Sequence, residues 1–439
     1  MAHVSQLPSH WKSVRLDELG QFIRGVSYPK EDSCETRITN TLPILRATNI
    51  QDEKLLLNSD LVYVPIKYIR PEQYLRLGDI VVCMSSGSKK LVGKTAQLLF
   101  DWEGSFGTFC ALIRPKSTVN ARFLGYFFSS PEYRQFISEK ASGININNLK
   151  PSDFEVLQIP LPPLEEQERI VAKIEALFSQ QDAGVSALQR IQAALKRYRA
   201  SVLKAAFEGK LVPQDPSDES AEALLRRLGK EPAVKDDLPD LPAGWCWVTI
   251  NDITVAVNKV SPQDKPNQMF EYIDISTIDN KKHEITEPKS YIGNNAPSRA
   301  RQLVHANDVL FSTVRTYLEN IALVPPQYDR QIASTGFCVL RANEAIISKF
   351  LFFFTLTKMF IEPLNELQRG TSYPAVRDSD VRNQLIPLPP FLEQIKIINE
   401  IEQRFSVIFE VEKIVTNQLT HSNRLRQAIM KSAFEGRLA

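Results

Sequence analysis

The feature that most constrains this chain is that it is written twice. Ile159–Leu211 opens "IPLPPLEEQERIVAKIEALF" and closes "RYRASVLKAAFEGKL", while Ile386–Leu438 opens "IPLPPFLEQIKIINEIEQRF" and closes "RLRQAIMKSAFEGRL". The segments align without a gap at an offset of 227, with 20 identities in 53 positions. A repeat of this kind decides architecture before local propensity does. The match continues upstream more weakly. "FLGYFF" at 123–128 meets "FLFFFT" at 350–355, "LRLGDIVV" at 75–82 meets "VHANDVLF" at 304–311, and "LPSHW" at 7–11 meets "LPAGW" at 241–245. The chain therefore divides into a variable block, 1–158, a well-matched segment, 159–211, a linker, 212–240, a second variable block, 241–385, and a second well-matched segment, 386–439.

Each well-matched segment predicts one long helix. Pro163 suits a first turn, Glu165, Glu166 and Glu168 face the positive end of the helix dipole, and Gly209 and Gly436 close the two copies at E-G-[KR]-L. Apolar residues recur at heptad spacing: Ile170, Ile174, Leu177, Leu188, Ile191, Leu195, Tyr198 and Val202 in the first copy; Ile397, Ile401, Ile408, Val411, Val415, Leu425 and Ile429 in the second. Gln181 and Gly184, then Gln418 and Ser422, interrupt the stripes. Two ordinary core helices are the competing reading, but mean helices run only ~11–12 residues. A stripe this long and narrow needs a partner stripe. The sister copy supplies it, most simply antiparallel.

The variable blocks mix element types. "LGDIVVCM" and "TAQLLF" have strand character around a Gly/Ser/Lys turn, and "ARFLGYFFSSPEYRQFISEKA" and "SKFLFFFTLTKMFIEPLNELQ" have helical patterns with an aromatic face. Each block is expected to be α+β. The linker carries four basic and eight acidic residues, with a short helix expected at 220–228.

Composition limits the function classes. Lys and Arg number 53 against 51 Asp and Glu, a net charge of +2, so a uniformly basic nucleic-acid binder is excluded but a locally basic face is not. The start has no signal-peptide pattern, and the longest strongly apolar run, Phe350–Leu356, falls far short of the ~20 residues that span a bilayer. A cytoplasmic protein is expected. Cys34, Cys83, Cys110, Cys246 and Cys338 are scattered, as buried thiols in a reducing compartment would be.

Catalytic signatures are missing. "SGSKKLVGKT" at 86–95 resembles a phosphate loop, but five residues separate Gly87 from Gly93 where four are required. No G-x-G or G-x-S-x-G occurs, and the five histidines have no ligand spacing. No catalytic, cofactor or metal site is expected in this chain. Binding residues are easier to find. The first block offers Arg46, a cluster at Ser86, Lys89, Lys90 and Lys94, and an amide-rich loop with Asn145 and Asn147. The second offers Arg315 and Tyr317, then Arg369, Ser372 and Tyr373 in "QRGTSYPAVR". Arg and Asn can read base edges, while Lys and Ser mostly hold phosphate. Similar blocks with unlike loops point to a two-part, asymmetric DNA site.

The duplicated "IPLPPLEEQ" and "IPLPPFLEQ" starts, the "AAFEGKLVPQDPSDESAEALLRRL" stretch and the paired "LP…W" openings resemble the specificity subunits of type I restriction-modification systems, essentially end to end. The resemblance implies an α+β fold. Two target-recognition domains in pseudo-twofold arrangement would be separated by two long antiparallel coiled-coil helices that act as a ruler. It implies double-stranded DNA and two modification (adenine-N6 methyltransferase) subunits as partners, and two restriction subunits that can join them. Adenosylmethionine, ATP and magnesium would belong to those partners. Arg197 and Arg199, with Arg424 and Arg426, could then face the methyltransferase. Two other classes compete: a coiled-coil adaptor without sequence-selective binding, and a self-contained DNA-modifying enzyme.

Overall fold

A long helix with a narrow apolar stripe is stable only against something, and in this chain each half of each long helix finds its cover in a globular block. The computed structural model describes residues 7–86, 91–140, 148–234 and 238–438. The chain forms two compact units, 1–189 with 416–439, and 190–415. The long helices are Leu164–Phe207 and Phe391–Phe434, 44 residues each. In the first unit the start of the first helix (Ile170, Ile174, Phe178) shares a core with the end of the second (Ile429, Met430, Ala433, Phe434). In the second unit Val202, Leu203, Ala206 and Phe207 share a core with Ile397, Ile398 and Ile401. The helices are therefore antiparallel.

The stripe departs from strict heptads in the middle. Ile170, Ile174, Val202, Ile397, Ile401, Ile408, Val415 and Ile429 are buried, and Leu177, Leu188, Leu195 and Val411 half-buried. Ile191, Tyr198 and Leu425 are the more open positions of the stripe, 42, 46 and 43% exposed. An α-helix drifts about 20° per heptad against a 3.5-residue repeat, so a strict set rotates off the seam. Tyr198 and Leu425 are repeat equivalents, and in both copies the next residue takes the contact. Arg199 lies over Phe405 at 5.1 Å and pairs with Glu412 at 3.1 Å. Arg426 lies over Phe178 at 3.8 Å and pairs with Asp182 at 2.8 Å. Both arginines are thus engaged within the chain, whereas Arg197 and Arg424 are exposed.

The two blocks share one topology. An opening strand pairs antiparallel with the strand that precedes the long helix: Lys12–Arg15 with Gln158–Leu161, and Cys246–Thr249 with Leu385–Leu388. A four-stranded antiparallel sheet follows, ordered Gly20–Arg24, Cys110–Pro115, Ile80–Cys83, Thr95–Gln97 in one unit and Thr254–Val255, Phe337–Ala342, Val309–Ser312, Ile321–Leu323 in the other. A mixed sheet with one parallel pair completes each block, three strands around Thr41–Leu45 and four around Met269–Ile273. In the second unit Ala300–Leu303 is the extra strand. A buried bidentate ion pair recurs beside the antiparallel sheet, Arg114 with Asp79 at 2.8 Å and Arg341 with Asp308 at 2.7 Å.

Each aromatic helical stretch is two helices, Ala121–Phe127 then Pro131–Lys140, and Ser348–Thr355 then Lys358–Glu366. The break has a local cause: Ser130 Oγ and Thr357 Oγ1 accept the N–H groups of Tyr133 and Phe360, which restarts the helix at a new cap. In the linker Ser220 caps a helix over Ala221–Arg227, and Ala221, Leu224 and Leu225 are buried. No helix of the described residues is long and apolar enough to cross a membrane.

Candidate nucleic-acid interface

In the second unit two segments meet beyond the antiparallel sheet: 313–320, between strands Val309–Ser312 and Ile321–Leu323, and 367–377, after the helix Lys358–Glu366. Val314 bridges Ala375, Val376 N–H donates to Thr313 O at 2.9 Å, and Arg315 N–H donates to Pro374 O at 2.7 Å. Arg315 and Glu319 both sit in the left-handed region, at φ +49° and +54°, on either side of the short turn Thr316–Leu318. That conformation costs roughly 1–2 kcal/mol per L-residue, so the surroundings must enforce it. They do: buried Thr316 donates to Asn365 Oδ1 at 2.6 Å, Gln368 Nε2 donates to Thr316 Oγ1 at 2.6 Å, and Asn280 Nδ2 donates to Leu318 O at 2.8 Å.

The result is a stiff tip that presents side chains. Tyr317 and Tyr373 are 52 and 72% exposed. The Arg315 guanidinium lies 4.7 Å from the centre of the Tyr373 ring and donates to Ser372 O at 3.0 Å. Gly370, at φ +98°, makes the turn that brings 371–374 back to Arg315. Arg369 reaches Asp380 at 3.4 Å, and that carboxylate also accepts the Arg377 N–H at 2.9 Å. The structure therefore brings Arg315, Tyr317, Arg369, Ser372 and Tyr373 into one patch. Thr316, Asn365, Gln368 and Asn280, which hold it, carry no signal in the sequence, because their partners are remote in the chain.

The first unit is built the same way at the corresponding place. Ser85 bridges Asn148, and Leu149 N–H donates to Met84 O at 2.8 Å. Asp153 accepts the Lys150 N–H at 2.7 Å, as Asp380 does for Arg377. Ser86 stands at the edge of this loop pair. Lys89, Lys90, Asn145 and Asn147 lie outside the described residues. Lys94 is half-buried at the entry to strand Thr95–Gln97, with its carbonyl accepting Cys83 N–H at 2.8 Å.

Arg46 lies elsewhere, after the strand Thr41–Leu45 of the mixed sheet. Its guanidinium pairs with the Asp60 carboxylate and donates to Asp60 O at 2.9 Å. Asn49 fixes the same loop by accepting Arg46 N–H at 2.8 Å and donating to Leu56 O and Ser59 O. Asp274 occupies the matching position of the second unit, between Ile273 and the turn Ile275–Thr277, so the charge there is reversed.

The described residues hold no group of three His, Cys, Asp or Glu able to bind a metal. Burial pushes the Cys83 thiol up to about 11 and those of Cys110, Cys246 and Cys338 up to about 12, away from nucleophilic thiolate. All five cysteines are free. Burial lowers the His283 pKa, although its Nδ1 lies 3.2 Å from Ile321 O.

One head built twice, each copy carrying an equivalent loop junction with different side chains beside the shared helices, defines a two-headed recognition protein. The chain belongs to the type I restriction modification DNA specificity domain family, whose model matches residues 8–190 and 242–421. It is 28% identical to the type I restriction enzyme EcoKI specificity subunit of Escherichia coli strain K12, and 29% identical to the StySPI specificity subunit of Salmonella potsdam. Each match covers 99% of this chain and 90% of the relative. Its fold matches a chain in a solved structure described as the structural basis underlying complex assembly and conformational transition of the type I R-M system. The TM-score is 0.67 and the identity 21%, over 98% of this chain and 99% of that one.

Proposed function

We propose that the chain is the specificity subunit of a type I restriction-modification complex, a non-catalytic subunit that recognises double-stranded DNA by sequence. Each recognition domain reads one half of a bipartite, asymmetric site. The observation that carries this reading is the pair of equivalent loop junctions, Ser85–Asn148 and Val314–Ala375, which set unlike side chains on like frames. One frame twice gives two half-sites; unlike loops make them unequal. The tyrosine and arginine side chains of the second junction suit hydrogen bonds to phosphate and bidentate contacts with base edges in a groove, and the Ser/Lys-rich stretch of the first suits phosphate.

In this reading the long helices set the spacing between half-sites and dock two modification subunits, and two restriction subunits can join. The adenine-N6 methylation and ATP-driven cleavage belong to the assembled complex. Adenosylmethionine, ATP and magnesium are taken by those partners, and the complex acts on DNA in the cytoplasm. The test is a genome-wide map of N6-methyladenine with and without the gene. A two-part motif that vanishes on deletion supports the reading. No lost motif, together with no sequence-selective binding when the modification subunit is present, would favour a coiled-coil adaptor. Methylation by the purified chain alone would favour a self-contained enzyme.

A further inference from the structure

The motif that opens both long helices places an acid and an amide, Glu166-Gln167 and Glu393-Gln394, in a first turn. All four side chains are buried. Buried polar groups need partners, and these find equivalent ones in both units. Trp11 Nε1 donates to Glu166 Oε1 at 3.0 Å, and Trp245 Nε1 donates to Glu393 Oε2 at 3.1 Å. Asn120 N–H donates to Gln167 Oε1 and Ile347 N–H to Gln394 Oε1, both at 2.8 Å. Gln167 Nε2 donates to Pro162 O at 2.8 Å, and Gln394 Nε2 donates to Ala345 O at 3.0 Å and Pro389 O at 3.3 Å.

Each dipeptide thus grips its domain at two separate places. The glutamate holds the tryptophan of the opening segment. The glutamine holds the backbone where the domain's aromatic helix begins, Ala121–Phe127 or Ser348–Thr355. The second glutamate oxygen is served differently, by His10 Nε2 at 2.8 Å in one unit and by Gln214 of the linker at 3.2 Å in the other, and Gln394 alone adds the bond to Ala345 O. Apolar packing would hold the domain to the helix as firmly, but it tolerates sliding and tilting. Hydrogen bonds from short, buried side chains to fixed backbone groups do not.

We propose that Glu166-Gln167 and Glu393-Gln394 are positioning residues that fix the seat of each recognition domain on its helix, and through it the tolerance of the complex for half-site spacing. The inference rests on the proposed function. The geometry separates it from a role in base reading: none of the four side chains belongs to the loop junctions, and all are closed off from solvent.

The test uses the full chain with its modification subunit and a set of duplexes. These carry the mapped half-sites with the natural spacer, or with one base pair more or fewer. Wild type should reject the altered spacers. Gln394→Leu, which keeps volume but removes the amide and its three buried hydrogen bonds, should lower that rejection by about tenfold or more, since one such bond alone is worth about that factor, while rejection of scrambled half-sites is unchanged. Gln167→Leu should do the same. Glu393→Gln keeps an acceptor for Trp245 and should retain strict spacing. The proposal is overturned if the leucine variants keep wild-type spacer rejection, or if they lose binding equally on every spacer with a thermal midpoint matching wild type. Loss of two-part selectivity in the wild-type complex would instead overturn the functional reading, and that outcome is visible without any variant.

Discussion

Arg315 concentrates the tension between stability and recognition. Its left-handed backbone is costly, its stacking on Tyr373 is worth about 0.5–1 kcal/mol, and its Nε is buried without a partner among the described residues. Arg315→Gly removes the steric penalty of roughly 1–2 kcal/mol but loses the stacking and adds unfolded-state freedom worth roughly 0.5–1 kcal/mol. These terms nearly cancel. The variant should unfold in denaturant within about 1 kcal/mol of wild type, yet bind duplexes with markedly less preference for the half-site read by the second unit. Arg315→Ala keeps the strain and should be the less stable of the two. His283 makes a different prediction. Burial holds its folded pKa below the ordinary ~6.5, so the unfolded chain binds the extra proton first. Stability contributed by a neutral His283 is complete above that value and falls as pH drops through it. His283→Gln should flatten the decline in the second unit's denaturation midpoint between pH 7 and 5. An unchanged slope would remove His283 as its source.

At the scale of elements, the mid-helix contacts are Arg–aromatic pairs rather than heptad leucines. Arg199 with Phe405, and Arg426 with Phe178, occupy equivalent places in the repeat. A double-mutant cycle on Arg199→Ala and Phe405→Ala should return a coupling of about 0.5–1 kcal/mol in denaturant unfolding, and the Arg426–Phe178 cycle a similar one. A heptad template could not reveal this, because it marks Tyr198 and Leu425, each one residue before the arginine that makes the contact. The helix starts were legible for a plain reason: proline, acidic residues and a closing Gly are local signals. So were Ile80–Cys83 and Thr95–Gln97, whose apolar runs flank a turn. The mixed sheets were not. Their strands are short, and their parallel pairs join residues as far apart as Ile44 with Ser105 and Tyr272 with Ile332. The site was half legible. Tyr317 and Tyr373 stand out as exposed-type residues in polar loops, whereas Arg46 has the right chemistry but is held by Asp60 in its own loop.

At the scale of the whole molecule, near-neutral charge is no obstacle to DNA recognition if the address is divided between two heads. Changes at Ser86, Lys89 or Lys90 should weaken one half-site and changes at Arg315, Tyr317 or Tyr373 the other, as read by binding to duplexes with a single half scrambled. Equal loss at both halves would contradict the division. On the proposed reading the helices set the spacing, and the unit boundaries at 189/190 and 415/416, within one residue of repeat equivalence, give points at which to test it. Seven residues inserted at both points lengthen each helix by about 10 Å at ~1.5 Å per residue, or about three base pairs at ~3.4 Å each. They also return the apolar stripe to within about 20° of its original face. Methylation mapping of such a variant should recover the same half-sites with a spacer longer by about three. Four residues inserted at both points turn the stripe of one unit by about 40° against that of the other, while Arg199–Phe405 and Arg426–Phe178 stay paired because each pair lies within one unit. That variant should lose thermal stability and should not yield a clean shifted motif. If the heptad insertion left the spacer unchanged, the helices would not be what sets it.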